Sequence, residues 1–301
     1  MKIVFFGTPQ IAGRVLQYLI DQKLDIVMCV TKPDKPLGRS SELKPPPVKI
    51  VANNYQIPVM QPEKVSTQEC QAILEQLKPD LFVVVAYGEI IKQFLLDIPS
   101  FGSINLHASL LPKYRGAAPI QRALTNGEKE TGVSIIKLVK KMDAGPILVK
   151  DRLIIPENMN SVELFDALET LGKKSILKAI TQIKEGVSVE EVQDESQVTF
   201  AAKLEPKEYH ISLSLPLKQV HNLIRGLYPN AYILISLRGI NKKIKLLNTV
   251  THVSTPKLDK KRFFIEMDDG ALEVLTLQQE GKRVMTAEEW LMSAYGQFKI
   301  L

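Results

Sequence analysis

The chain has 301 residues, of which 45% are hydrophobic and 24% charged, a composition suited to a folded chain with room for two domains. Its longest wholly apolar run, Leu81 to Ala86, is far too short to cross a bilayer. Met1 to Gly7 lacks the features of a secretory leader, so a cytoplasmic protein is expected. The net charge is +6, and residues 207–301 carry 14 Lys/Arg against 9 Asp/Glu, so the basic excess lies almost wholly in the last third. That placement suits a polyanionic partner such as RNA; a merely solvated surface is the other reading.

In chain order, Lys2 to Phe6 reads as a strand, and residues 11–20 as an amphipathic helix with Pro9 at its start. Residues 26–30 form the next strand. The connection from Lys32 to Lys49 holds five prolines and one glycine, which makes a regular element unlikely and predicts a semi-rigid exposed loop. Helices are expected over 48–54, 68–77, 89–96 and 117–125, with strands over 58–60, 80–86, 102–106, 132–138 and 147–155. Apolar spacing at Leu164, Leu168, Leu171, Ile176 and Ile180 predicts a long helix over 161–183. This alternation argues for a parallel or mixed sheet flanked by helices over residues 1–185. Residues 186–206 turn polar and irregular and read as a linker. Beyond them, β-like runs at 231–237, 243–247, 263–267 and 272–277, with one helix at 217–227, predict a smaller β-barrel domain over 207–301.

In an open α/β sheet, ligands sit beyond the carboxyl ends of the strands. The loop at Gly7-Thr8-Pro9 meets that rule but lacks the Gly-x-Gly-x-x-Gly spacing of a dinucleotide site, which argues against a dehydrogenase. The segment after Ser103 is richer. Asn105 and His107 stand two apart, so on an extended strand both point to one face. Hydrogen bonds to neighbouring loops would account for either residue alone. The pair at a strand's carboxyl end leaves a structural and a catalytic reading both open. Leu110-Leu111-Pro112 supplies either an apolar wall for a flat heterocycle or a loop packed on the core. Neither the four histidines nor Cys29 and Cys70 form a set at metal-ligand spacing, so no metal is expected.

The run from His107 to Ile120, followed by Glu130-Thr-Gly-Val133 and Met142-Asp-Ala-Gly145, resembles the signature of the 10-formyltetrahydrofolate-dependent formyltransferases. Within them the chain is most similar, over nearly its whole length, to the branch that acts on methionyl-tRNA. Further matching segments are Phe6 to Pro9, Lys32 to Arg39, Pro47 to Lys49, Val83 to Gly88 and Gln193 to Glu195. The resemblance implies a Rossmann-like domain followed by an OB-like barrel, a folate co-substrate and a tRNA partner engaged by a monomer. It implies catalytic roles for Asn105, His107 and Asp143. It places folate contacts on Ser109, Leu110, Leu111 and Pro112, with the pteridine pocket around Ala86, Tyr87, Gly88 and Ile90. It brings the loop with Lys35, Arg39, Lys44 and Lys49 to the acceptor stem, with Lys242 and Lys243 as further nucleic-acid contacts on the basic C-terminal domain.

The chemistry these roles imply is attack of a neutral amine on a formyl carbon, with charge building on the formyl oxygen. The Asn105 amide and protonated His107 would donate to that oxygen, and loss of one such donor typically costs about 10²–10³ in rate. Asp143 would pair with His107 and relay the amine proton through water; a turn-forming aspartate is its alternative reading. The sequence departs from the family pattern Arg-Ala-x-Asn-Pro-Trp-Pro-Gly at Arg225 to Tyr232, where the Trp and second Pro are missing, and Ala108 stands where Gly is more usual. Rival readings are a formyltransferase for a small amine, a formylfolate hydrolase, and a non-enzymatic RNA-binding protein. The basic loop and basic last third speak against the first two, and the intact Asn, His and Asp against the third.

Overall fold

The computed structural model describes residues 1–36, 42–254, 261–294 and 296–301, and these divide into two compact units. The first comprises Met1–Arg115, Gly132–Arg152 and Ala167–Thr199; the second comprises Gly116–Thr131, Leu153–Asp166 and Phe200–Leu301.

Strands β1 (Lys2–Gly7), β2 (Asp25–Val30), β3 (Val59–Met60), β4 (Leu81–Val85), β5 (Ser103–His107), β6 (Glu130–Lys137) and β7 (Ile147–Ile154) form a seven-stranded sheet. Its order is β7-β6-β5-β4-β1-β2-β3. β1 runs parallel to β2 and β4, β2 to β3 and β4 to β5, whereas β6 is antiparallel to β5. The sheet is therefore mixed and Rossmann-like, with its order reversing at β1, so the crevice favoured for ligands opens beyond the ends of β1 and β4. At that place the Thr8 hydroxyl donates to the Tyr87 carbonyl at 3.0 Å, tying the two loops together.

The apolar run of β4 follows from cover on both sides. Its Leu81, Val83 and Val85 pack with Ala12, Val15, Leu16 and Leu19 of α1 (Gln10–Asp21) and with Val48 and Ala52 of α2 (Pro47–Asn54). Its Phe82 and Val84 turn the other way, toward Leu74 of α3 (Gln68–Leu77) and Leu95 of α4 (Gln93–Leu96). Truncating a fully buried leucine in such a core costs about 2–5 kcal/mol. α5 (Pro119–Thr125) follows, and then α6 (Ser161–Glu185), whose Ile176, Ala179 and Ile180 join the first of these clusters.

The second unit carries β8 (Tyr232–Leu237), β9 (Ile240–His252), β10 (Phe263–Met267), β11 (Gly270–Gln279), β12 (Val284–Thr286) and β13 (Phe298–Ile300). They run antiparallel in the order β10-β11-β9-β8-β13, with β12 paired to β11, as an OB-like half-barrel. α7 (Leu217–Gly226) and α8 (Ala287–Ala294) supply apolar faces to its core. Trp290 is 1% exposed, lies 5.2 Å from Phe263 and 4.7 Å from Phe298, and donates its indole N–H to Gln279.

Three sequence expectations change. The helix expected over 89–96 shrinks to Gln93–Leu96, because the Glu89 carboxylate is held in a loop by Lys32 and by the Val65 amide. Residues 32–49 contain a two-residue ladder, Lys35–Pro36 with Leu43–Lys44, where only irregular chain was expected. α8 was not expected at all. Within residues 186–206, Glu191 bridges Ile147 and Gln193 is buried, and the last stretch of the first unit ends at Thr199. In the stretch that departs from the family pattern, Asn230 accepts from Lys245 and the Tyr232 ring stacks on His210 at 5.3 Å.

Candidate active site

Ile104 and Leu106 of β5 face the core, so the two-residue period turns Asn105 and His107 the other way. His107 is 6% exposed, and its Nε2 lies 2.9 Å from the Tyr114 carbonyl. A carbonyl only accepts, so Nε2 carries the proton and donates. That leaves Nδ1 facing the Asp143 carboxylate at 3.7 Å, too long for a hydrogen bond and within ion-pair reach. A proton arriving on Nδ1 meets a negative charge there. Asn105 is half-buried, and its amide makes no hydrogen bond to the other described residues. An amide left with spare donors beside an imidazole–carboxylate pair can stabilise an oxygen on which charge develops.

Asp143 sits in the turn between β6 and β7 with φ +52°, a left-handed conformation that Asp tolerates better than most residues. The turn lies hard against the end of β6. A Cβ on Gly145 would fall 1.8 Å from the Lys137 carbonyl oxygen, which explains why Gly follows Asp-Ala here. Gly132 plays the same part under the neighbouring loop, where a Cβ would fall 2.1 Å from the Asp151 carbonyl oxygen and 2.5 Å from Leu110 Cδ2.

The residues named for folate divide by what they expose. Ser109 is fully buried; its hydroxyl donates to the Lys113 carbonyl at 2.6 Å, and its carbonyl accepts from Ser134 at 2.7 Å. Leu111 is buried against Ile136 and Ile147, and its amide donates to the Ser134 hydroxyl at 3.1 Å. These two shape the loop from within, while Leu110 and Pro112 stay half-exposed. Tyr87 is buried edge-on to Phe6, with Lys32 over its ring, so its side chain belongs to the core. Its neighbours Ala86 and Gly88 are exposed with φ +47° and +82°, and Ile90 is 70% exposed. A Cβ built on Gly88 meets nothing within 4 Å. Open backbone with exposed apolar carbon, at the ends of the paired strands β4 and β5, fits a flat heterocycle with hydrogen-bonding edges.

Two residues escaped the reading from sequence. Arg115, 2% exposed, donates from Nε and Nη2 to the Gln193 side-chain oxygen at 3.1 and 2.8 Å. Its Nη2 also reaches Glu195 at 2.8 Å. Gln193 donates in turn to the Asp143 and Gly145 carbonyls at 2.8 and 2.7 Å. The signal available was a charged residue and an amide inside the matched segments, with nothing to say that they meet. Hydrogen bonds from Arg115 first, then Lys141, hold the Glu195 carboxyl down at about 2. A depressed carboxyl stabilises the fold fully above its unfolded value of about 4.3 and loses that effect as pH falls toward 2. Thermal melts should therefore separate wild type from Glu195→Gln near neutrality and converge only as pH falls to about 2; parallel curves throughout would contradict the pairing.

Of the expected nucleic-acid contacts, Lys35 and Lys44 are exposed and face each other across the short ladder, while Arg39 lies outside the described residues. Two like charges held side by side repel unless an anion joins them. Lys49 is half-buried and paired to Asp34 at 2.8 Å, so its charge is already matched. Lys242 and Lys243 follow each other on β9 and so point to opposite faces; Lys243 lies over the Tyr232 ring at 4.8 Å. Among the described residues no cluster of His, Cys, Asp and Glu could hold a metal ion, and no helix is long and apolar enough to cross a membrane.

The formyl transferase family model matches residues 1–180, and the formyl transferase C-terminal domain model matches residues 203–295. The chain is 43% identical over 300 residues to the methionyl-tRNA formyltransferase of Protochlamydia amoebophila (strain UWE25), covering 97% of this chain and 94% of that relative. It is 40% identical over 301 residues to the methionyl-tRNA formyltransferase of Staphylococcus aureus (strain Newman), covering 97% and 96% respectively. Among solved structures, the N-formyltransferase of Helicobacter canadensis shares the fold with a TM-score of 0.69 at 21% identity, over 91% of this chain and 98% of that one.

Proposed function

The chain belongs to the formyl transferase family, and from that premise we propose that it transfers the formyl group of 10-formyltetrahydrofolate to the α-amino group of methionyl-tRNA. The observation that carries this reading is the match to methionyl-tRNA formyltransferases at 43% and 40% identity along both units, rather than over the first alone. N-formylmethionyl-tRNA is the product, used to start translation.

The backbone at Ala86 and Gly88, with Ile90, Leu110 and Pro112, would hold the folate. When bound, it supplies the electrophilic formyl carbon. The rest falls to the chain's own side chains. Asn105 offers amide hydrogens to the formyl oxygen as charge grows on it. His107, fixed through Nε2 on the Tyr114 carbonyl, would carry its second proton on Nδ1, the nitrogen that faces Asp143. Asp143 would stabilise that imidazolium and take the proton released by the amine, directly or through water. As the new amide bond forms, the bond from the formyl carbon to the folate nitrogen would break and that nitrogen would take up a proton by the same path, releasing tetrahydrofolate. The nucleophile needs no further activation, because an unperturbed α-amino group has a pKa of about 7.7–8 and esterification lowers it.

Labelled 10-formyltetrahydrofolate offered with charged initiator tRNA, a sugar-nucleotide amine, or water alone tests the acceptor. Label should appear on methionyl-tRNA; label on the sugar amine or released as formate at a comparable rate would overturn the assignment. The exposed loop gives a second expectation. Lys35→Ala with Lys44→Ala should weaken tRNA binding and lower the slope of log affinity against log salt by about 1–2, with folate binding unchanged. An unaltered salt slope would remove these lysines from the interface.

A further inference from the structure

We propose, on the formyl-transfer reading above, that Gln193 is a positioning residue that sets where the Asp143 carboxylate stands, and that Arg115 holds Gln193 to that task. A side-chain amide has two N–H donors and an oxygen with two lone pairs. In the 6%-exposed Gln193 all four are spent. Both hydrogens go to the 143–145 turn, at 2.8 Å to the Asp143 carbonyl and 2.7 Å to the Gly145 carbonyl. Both lone pairs go to Arg115, at 3.1 Å from Nε and 2.8 Å from Nη2.

The turn needs such a hold. Asp143 has φ +52°, a left-handed conformation that an L-residue keeps where surrounding contacts over-determine it. Gly145 fixes the turn against the end of β6, and Gln193 fixes it from the side. Arg115 is itself anchored, with its amide donating to the Thr199 carbonyl at 2.9 Å and its guanidinium meeting Glu195 at 2.8 Å.

One consequence ties this network to the reacting pair. The carbonyl that fixes His107 belongs to Tyr114, the residue next to Arg115. Tyr114 therefore sets the imidazole and Arg115, through Gln193, sets the carboxylate. Both halves of the 3.7 Å pair are thus referenced to two consecutive residues, which sets their separation. Misplacement of a reacting group by about 1 Å can cost 10²-fold in rate.

Gln193→Glu is the test. The new carboxylate keeps the shape and still accepts from Arg115, but it has no hydrogen for the two carbonyls. We expect kcat for methionyl-tRNA to fall about 10–100-fold with KM for either substrate within about twofold, and no further fall when the same change is made on Asp143→Asn. Equal fold losses in both backgrounds, or a loss confined to KM, would overturn the proposal. Arg115→Lys, which keeps the charge facing Glu195 but loses the two-pronged grip, should show the same background dependence even if Gln193→Glu folds poorly. Wild-type rates in Asp143→Asn alone would overturn the reading of the centre, and this proposal with it.

Discussion

Alanine at His107 is expected to lower kcat for formyl transfer to methionyl-tRNA by about 10³-fold or more, with the fold intact. On the proposed mechanism the imidazole serves twice: as a charged donor toward the formyl oxygen, worth about 10²–10³, and as one end of the proton path to Asp143, worth about 10²–10⁴. The two effects share one side chain and are not multiplied in full. Asp143→Asn keeps the size and the turn but removes the charge facing Nδ1 at 3.7 Å, so a loss of about 10²-fold or more is expected. In both variants KM for the folate should change little, because neither side chain lies in the 86–90 or 109–112 loops. Steady-state kinetics with charged initiator tRNA, beside circular dichroism of each variant, decides it. Near-normal kcat in a folded His107→Ala protein would defeat the mechanism.

Gly145→Ala is expected to destabilise the first unit strongly and to remove activity with it. The added Cβ would sit 1.8 Å from the Lys137 carbonyl oxygen, a backbone atom at the end of a strand that cannot swing aside. Relief requires the turn to lift away, which breaks the 2.9 Å hydrogen bond from the Lys137 amide to the Pro146 carbonyl and both bonds from Gln193. Overpacking alone costs about 1–3 kcal/mol, and each lost net hydrogen bond adds roughly 1 kcal/mol. At about 2–4 °C per kcal/mol for a unit of this size, the melting temperature should fall by roughly 10 °C. Calorimetry on the purified variant measures it directly. An unchanged melting temperature would mean that the turn does not sit on β6 as described.

How much of this was legible from residues alone depends on range. The Leu81–Val85 strand and the Gln68–Leu77 helix announce themselves, because an unbroken apolar run and a 3.6-residue spacing each have one economical burial. Asn105 and His107 were legible as a pair for the same local reason, the two-residue period of an extended strand. Asp143 was not: an aspartate before Ala-Gly reads equally well as a turn former, and only the family resemblance raised it. Arg115 and Gln193 were out of reach because they stand 78 residues apart, and no local pattern reports such a meeting. α8 was hidden by its start, Ala-Glu-Glu, which reads as a polar turn until Trp290 and Leu291 are seen to close the second core. Tyr87 erred in the other direction. It stands in the right loop, but its ring turns inward to join Phe82 and Val84, because the left-handed Ala86 at φ +47° breaks the alternation of β4.

The most direct test of the reacting centre is the single-turnover rate of formyl transfer by Asn105→Ala at saturating folate and methionyl-tRNA. Asn105 is the one member of the trio whose amide makes no bond to the other described residues, so removing it disturbs little else. A fall of about 10²–10³-fold in that rate, with tRNA affinity unchanged, is the expected result. A rate within a few-fold of wild type would contradict the account.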